Sequence, residues 1–99
     1  MRKRNLLNAA TTGNGPIISA NEFAVVAGKT SVTFTVRGLA GTTAQLYVGD
    51  EALEASLVPV RGGSFEEDEG VTLDVAAGTF YQIRLAGTSS TSVTAFMVG

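Results

Sequence analysis

Apolar and polar residues alternate with a period of two in several short runs along this chain, and no stretch carries the wider spacing of an amphipathic helix face. In residues 30–37, Val32, Phe34 and Val36 fall on one side and Ser31, Thr33, Thr35 and Arg37 on the other. That is the pattern of a strand with one buried face in an antiparallel sheet. Residues 43–49 repeat it with Ala44, Leu46 and Val48, and the link Gly38-Leu39-Ala40-Gly41 predicts a hairpin joining the two runs. A second hairpin is predicted where Val71, Leu73 and Val75 lead through Ala76-Ala77-Gly78-Thr79 into Tyr81, Ile83 and Leu85. In the last run, 91–98, Val93, Ala95 and Met97 share one face and Thr94, Phe96 and Val98 the other. Apolar residues on both faces predict a strand that is covered twice.

Weaker strand patterns lie at residues 16–19, 23–26 and 53–60. Pro59 has no amide hydrogen, which assigns the last of these to a sheet edge or a bulge. Residues 50–56 are rich enough in Ala, Leu and Glu for one helical turn, too short to be stable alone. The sum is an all-β chain, an antiparallel β-sandwich or jelly-roll-like barrel of about seven or eight short strands. Residues 1–12 read as an N-terminal arm, partly flexible and available to a partner, and residues 13–99 as a single sandwich domain.

Composition narrows the function more than the fold. The chain has 99 residues, no cysteine and no histidine. A length of that order supports one core, and without imidazole or thiol the usual general base, zinc ligands and nucleophilic triads are missing. Net charge is -2 with 16% charged residues, so attraction to nucleic acid or an anionic membrane is not expected. No apolar run reaches membrane-spanning length. The opening Arg2-Lys3-Arg4 resembles the basic start of a secretory signal, but the polar residues that follow give no apolar stretch, so export by that route is not expected.

Glu66-Glu67-Asp68-Glu69, with Asp50, Glu51 and Glu54, is the one cluster with potential metal or hydrolytic chemistry. Its spacing matches no calcium loop, and consecutive acids between glycines usually form a solvated turn. Gly13-Asn14-Gly15 and Gly38 to Gly41 lack the lysine and following helix of a phosphate cradle and read as turns. Tyr47, Phe65 and Tyr81 are candidates for a sugar-stacking platform. No catalytic residue, metal ligand or cofactor is assigned.

The order of features carries a resemblance. Leu6 to Gly15 reads Leu-Leu-Asn-Ala-Ala-Thr-Thr-Gly-Asn-Gly, followed by Val32-Thr-Phe-Thr-Val-Arg-Gly, then Thr43-Ala-Gln-Leu-Tyr-Val. Val71-Thr-Leu-Asp-Val-Ala-Ala-Gly-Thr-Phe-Tyr-Gln-Ile-Arg-Leu and the closing Ser92-Val-Thr-Ala-Phe-Met-Val complete it. Over nearly its whole length the chain resembles the small β-sandwich virion proteins of tailed bacteriophages, the group of capsid decoration or cement proteins and head-fibre components. The shared element is a strand rhythm with Ala-Ala-Gly-Thr-Phe at one turn, and the acidic loop and basic start depart from the common pattern. The resemblance implies a non-enzymatic protein made in the host cytoplasm and added to the outer surface of the capsid. Its partners would be the major capsid protein and copies of itself, as a dimer or trimer. The candidate partner-binding residues are Arg2, Lys3, Arg4, Leu6 and Leu7 in the arm and Phe96 and Val98 on the second face of the last strand. The alternative is a carbohydrate-binding module of a tail or head fibre.

Overall fold

The computed structural model describes residues 3–23 and 29–99, and the side chains of all of these but residues 29 and 30. Among the described residues eight strands follow one another: β1 (Lys3–Ala10), β2 (Ile18–Ser19), β3 (Lys29–Arg37), β4 (Ala44–Gly49), β5 (Val58–Phe65), β6 (Glu69–Ala76), β7 (Phe80–Leu85) and β8 (Val93–Val98). They form two four-stranded antiparallel sheets, ordered β1-β8-β3-β6 and β2-β7-β4-β5, packed face to face. The molecule is the antiparallel β-sandwich that its alternating side chains predict.

The pairing is not the one that the turns suggest. β3 pairs with β6 and β8, and β4 with β5 and β7, so Gly38–Gly41 carries the chain from one sheet to the other instead of closing a hairpin. The same holds for residues 77–79, since β6 and β7 lie in different sheets. Of the strands adjacent in sequence only β4 and β5 pair, across the longer link 50–57, where Glu54–Ser56 forms a single 3-10 turn. Instead the first strand pairs with the eighth, the second with the seventh, the third with the sixth and the fourth with the fifth. That is a long two-stranded ribbon folded at its middle and rolled up, the jelly roll. A turn between two alternating runs has the same composition whether it reverses the chain within a layer or between layers, and this is why both hairpin expectations fail.

The ribbon's outer end changes the reading of the N-terminus. Residues 3–10 are not a separate arm but the edge strand β1, paired along β8 from Lys3 opposite Val98 to Ala10 opposite Val93. Leu6 and Leu7 are 0% and 3% exposed, both turned into the core. Two consecutive inward side chains break the pleat's alternation, and the ladder accommodates them with register shifts between Asn5 and Leu7 and between Leu7 and Ala10. Ala9, with φ 55°, marks the second irregularity. Of the weaker patterns, residues 16–19 contain the two-residue β2, residues 53–60 give way to β5, an edge strand that includes Pro59, and Phe23 follows a 3-10 turn at Ala20–Glu22. The remainder of the run 23–26 lies outside the described residues.

The core is the space between the layers. From the first sheet Val32, Phe34, Val36, Val75, Val93, Ala95 and Met97 enter it, and from the second Ile18, Ala44, Leu46, Phe65, Tyr81, Ile83 and Leu85. Phe34 and Tyr81 meet across it with ring centroids 5.6 Å apart, and burial pushes the Tyr81 phenol above its ordinary pKa. One end of the roll is closed by polar bonds. Ser89, 2% exposed, donates through Oγ to the Gly38 carbonyl at 3.1 Å and accepts from the amides of Ala40 (3.1 Å) and Thr91 (3.3 Å). Its own amide donates to the Thr11 carbonyl at 2.7 Å, so a single hydroxyl residue ties three inter-sheet links together. Gly38 is glycine for a reason: its φ is 89° and a Cβ there would collide with the Ser92 carbonyl oxygen.

Leu6→Ala should therefore destabilise the protein by about 2–5 kcal/mol, the cost of a core truncation. Urea unfolding checks this, and a midpoint unchanged from the parent would show the segment to be a loose arm after all.

Candidate functional site

Pairing of β1 with β8 brings the two ends of the chain together on the outer face of the first sheet. Lys3 stands opposite Val98 and Asn5 opposite Phe96, while Val98 and Phe96 in turn face Thr33 and Thr35 on β3. Because side chains directly opposite share a face, Lys3, Asn5, Phe96, Val98, Thr33 and Thr35 form one outward surface, which Thr94 extends. The Lys3 ammonium lies 4.5 Å from the centroid of the Phe96 ring, within cation–π range. Hydroxyls fill most of the rest: Thr33 and Thr72 share a hydrogen bond of 2.9 Å, and Ser31 donates to Asp74 at 3.1 Å.

The last strand is covered fully on one side only. Its inner residues Val93, Ala95 and Met97 are each 0% exposed, whereas Thr94, Phe96 and Val98 are half-buried by flanking side chains, with no second layer over them among the described residues. Among the described residues, then, nothing supplies the expected second cover. Of the other candidate residues, Arg4 turns toward the end of the roll and pairs with Glu22 at 3.0 Å, an exposed ion pair of small energetic weight. Leu6 and Leu7 belong to the core, where no partner reaches them, and Arg2 lies outside the described residues. Among the described residues the two most exposed large apolar side chains are Leu53 and Val58, in the 50–57 link and at the β5 edge. Both fall in the weak pattern 53–60, whose alternation is too irregular to mark them as exposed, because they stand where regular pairing begins or ends.

The outer face of the second sheet is occupied by the chain itself. Gln82, only 2% exposed, donates to the Gly15 carbonyl at 2.7 Å and to Glu54 Oε1 at 2.8 Å, and accepts from Arg84 Nε at 2.9 Å. Arg84 also donates to the Glu54 carbonyl at 2.7 Å and lays its guanidinium 3.9 Å from the Tyr47 ring centroid. Asn14 completes the network by donating to Glu54 Oε1 at 2.9 Å. These bonds hold the 50–57 link down over the sheet. The aromatic platform does not form: Phe65 and Tyr81, 0% and 6% exposed, lie in the core between the sheets, and Tyr47 lies beneath Arg84.

The acidic run divides in the same way. Asp68 Oδ1 accepts from the Leu39 amide at 2.9 Å, and the amides of Gly38 and Leu39 hold its carboxyl below the usual range. It fastens a loop. Glu66, Glu67 and Glu69 line an open cleft of about 530 Å³ with Ser64, but among the described residues no three metal-ligating groups converge. No family model matches this sequence, and a search of curated proteins finds no match.

Hydrogen bonds from Asn14 and Gln82, with a smaller contribution from Arg84, lower the Glu54 carboxyl in the same sense as Asp68. A carboxyl depressed on folding adds stability above its unfolded pKa of about 4, and that stability fades as pH falls through the folded value. Both groups are exposed, so the effect is modest and salt-sensitive. Melting temperature should hold between about pH 7 and 5 and decline below about pH 4. In the double variant Glu54→Gln with Asp68→Asn the decline should be shallower, and equal acid slopes for variant and parent would remove these two groups from the account.

Proposed function

We propose that the chain is a non-enzymatic structural protein of a phage particle, a capsid decoration or cement protein that binds the outer surface of the head and stabilises the assembled shell. The observation that carries this reading is the half-covered outer face of the first sheet, where Phe96 and Val98 sit among threonines beside Lys3. Such a face suits protein contact. Its centre, Phe96, Val98, Thr33 and Thr35, is uncharged and Lys3, Arg37 and Asp74 stand around it, so little desolvation opposes burial of that centre, while each 100 Å² of apolar area removed from water contributes about 2.5 kcal/mol. The jelly roll itself does not choose among functions, because capsid domains, lectins and cupins all use it. The resemblance in strand rhythm to phage virion proteins gives the direction, and the buried positions of Phe65 and Tyr81 leave the carbohydrate-binding alternative without its stacking residues.

Mechanistically, docking and stability are linked. A shell that binds only the folded chain raises its apparent stability by mass action, and many modest contacts repeated over a head brace it against internal pressure. The roll presents the outer face on the two central strands and one edge of a single sheet, so the docking surface is as rigid as the core behind it.

Purified protein added to heads that lack it should co-sediment with them to saturation. Phe96→Asp should weaken binding by about tenfold or more, as burial of an unpaired charge requires, while Val58→Asp on the opposite sheet should leave it unchanged. Heads that stay bare at micromolar protein would end this reading.

A further inference from the structure

The two sheets have four edges, and three of them are blunted. β2 is two residues long, β1 carries two register shifts, and β5 contains Pro59, Gly62 at φ 81° and a shift between Gln45 and Tyr47 on its partner. Proteins commonly guard exposed strand edges with such irregularities, since a regular edge is a template for another strand. β6 has none of these guards. Its eight residues run in unbroken register along β3, from Glu69 opposite Val36 to Ala76 opposite Lys29, and among the described residues no strand pairs with its other side. The inner side of this edge is also incompletely closed: Val75 is buried, but Val71 and Leu73, which point the same way, are only half-buried.

We propose that the free edge of β6 pairs antiparallel with β6 of a second copy of this chain, about a two-fold axis at Thr72, so that two four-stranded sheets become one continuous sheet. Every strand edge accepts a strand; what selects a second copy is the self-complementarity of this one. With the axis at Thr72, each Thr72 faces its mate, Leu73 faces Val71, Asp74 faces Gly70 and Val75 faces Glu69. No carboxylate opposes another, so the penalty for like charges across a ladder is avoided. The half-covered Val71 and Leu73 of both copies come together on the inner side. The acidic turn 66–68 of each copy lies beside residues 76–78 of the other, Ala-Ala-Gly, which carry no charge. An interface in which the same patch serves both partners closes on itself and does not propagate. The outer faces of the two first sheets, with Phe96 and Val98, then form one broad surface on the same side. The inference rests on the self-assembly half of the function proposed above and is independent of shell binding.

The chain has no cysteine, so single-cysteine variants report contacts cleanly. Thr72 is exposed, and Thr72→Cys places two thiols at the axis, where facing Cβ atoms come within about 5 Å. Mild oxidation should convert Thr72→Cys to a covalent dimer much faster than Ser64→Cys, which is exposed on the β5 edge. By sedimentation, Thr72→Lys and Thr72→Asp should each self-associate about tenfold or more weakly than the parent. An equimolar mixture of the two should regain the dimer, an outcome that a merely misfolded variant cannot give; circular dichroism checks that each is folded. Equal cross-linking of Thr72→Cys and Ser64→Cys, or undiminished association of Thr72→Lys, overturns the β6 interface. If the parent still self-associates in that case, the assembly reading survives without this edge. If the parent is monomeric at every concentration, both fail, and binding to heads stands or falls separately.

Discussion

The pairing of the first strand with the last is the constraint on which the rest of this molecule depends. β1 closes the outer end of the rolled ribbon, and β8 becomes an inner strand of its sheet only because β1 lies beside it. Leu6 and Leu7 arrive in the core by the same act. Every strand but the β4–β5 pair finds its partners far away in sequence, so little of the sheet is stabilised until most of it has formed. The polar bonds around Ser89 supply what a ribbon with long inter-sheet links lacks, a fixed relation between the links at one end.

This closure also decides what the surface offers. Lys3, set opposite Val98, caps the Phe96 ring and joins a face whose centre is uncharged. The two sheets differ for a local reason. The 50–57 link folds over the second sheet, where Gln82 and Arg84 bind it through Glu54, whereas no described segment crosses the outside of the first. One layer is thus finished by its own chain and the other is left with an outer face and a regular edge.

Strand positions were legible because β3, β4, β6, β7 and β8 each keep strict alternation with one uniformly apolar side. β1 was not: Leu6 and Leu7 are consecutive, both buried, and a bulge rather than a period accounts for them. Topology was illegible for a different reason, since Gly38–Gly41 and Ala77–Thr79 have hairpin composition but cross between sheets. Of the candidate site, Phe96 and Val98 stood out as apolar residues on the wrong face of an alternating strand, and Lys3 as a basic residue, but nothing in the sequence placed them side by side. Ser89 and Gln82, whose side chains do the most internal bonding, look like ordinary polar positions, because hydrogen-bond partners distant in sequence leave no periodic trace.

The central claim, that the chain ends close the roll, is tested most directly by native-state hydrogen exchange of the β1 amides that face β8. The account predicts protection of the same order as the amides of β3 and β7, lost only in global unfolding. Exchange of β1 orders of magnitude faster than β3, with β8 then exchanging as an edge strand, would contradict it.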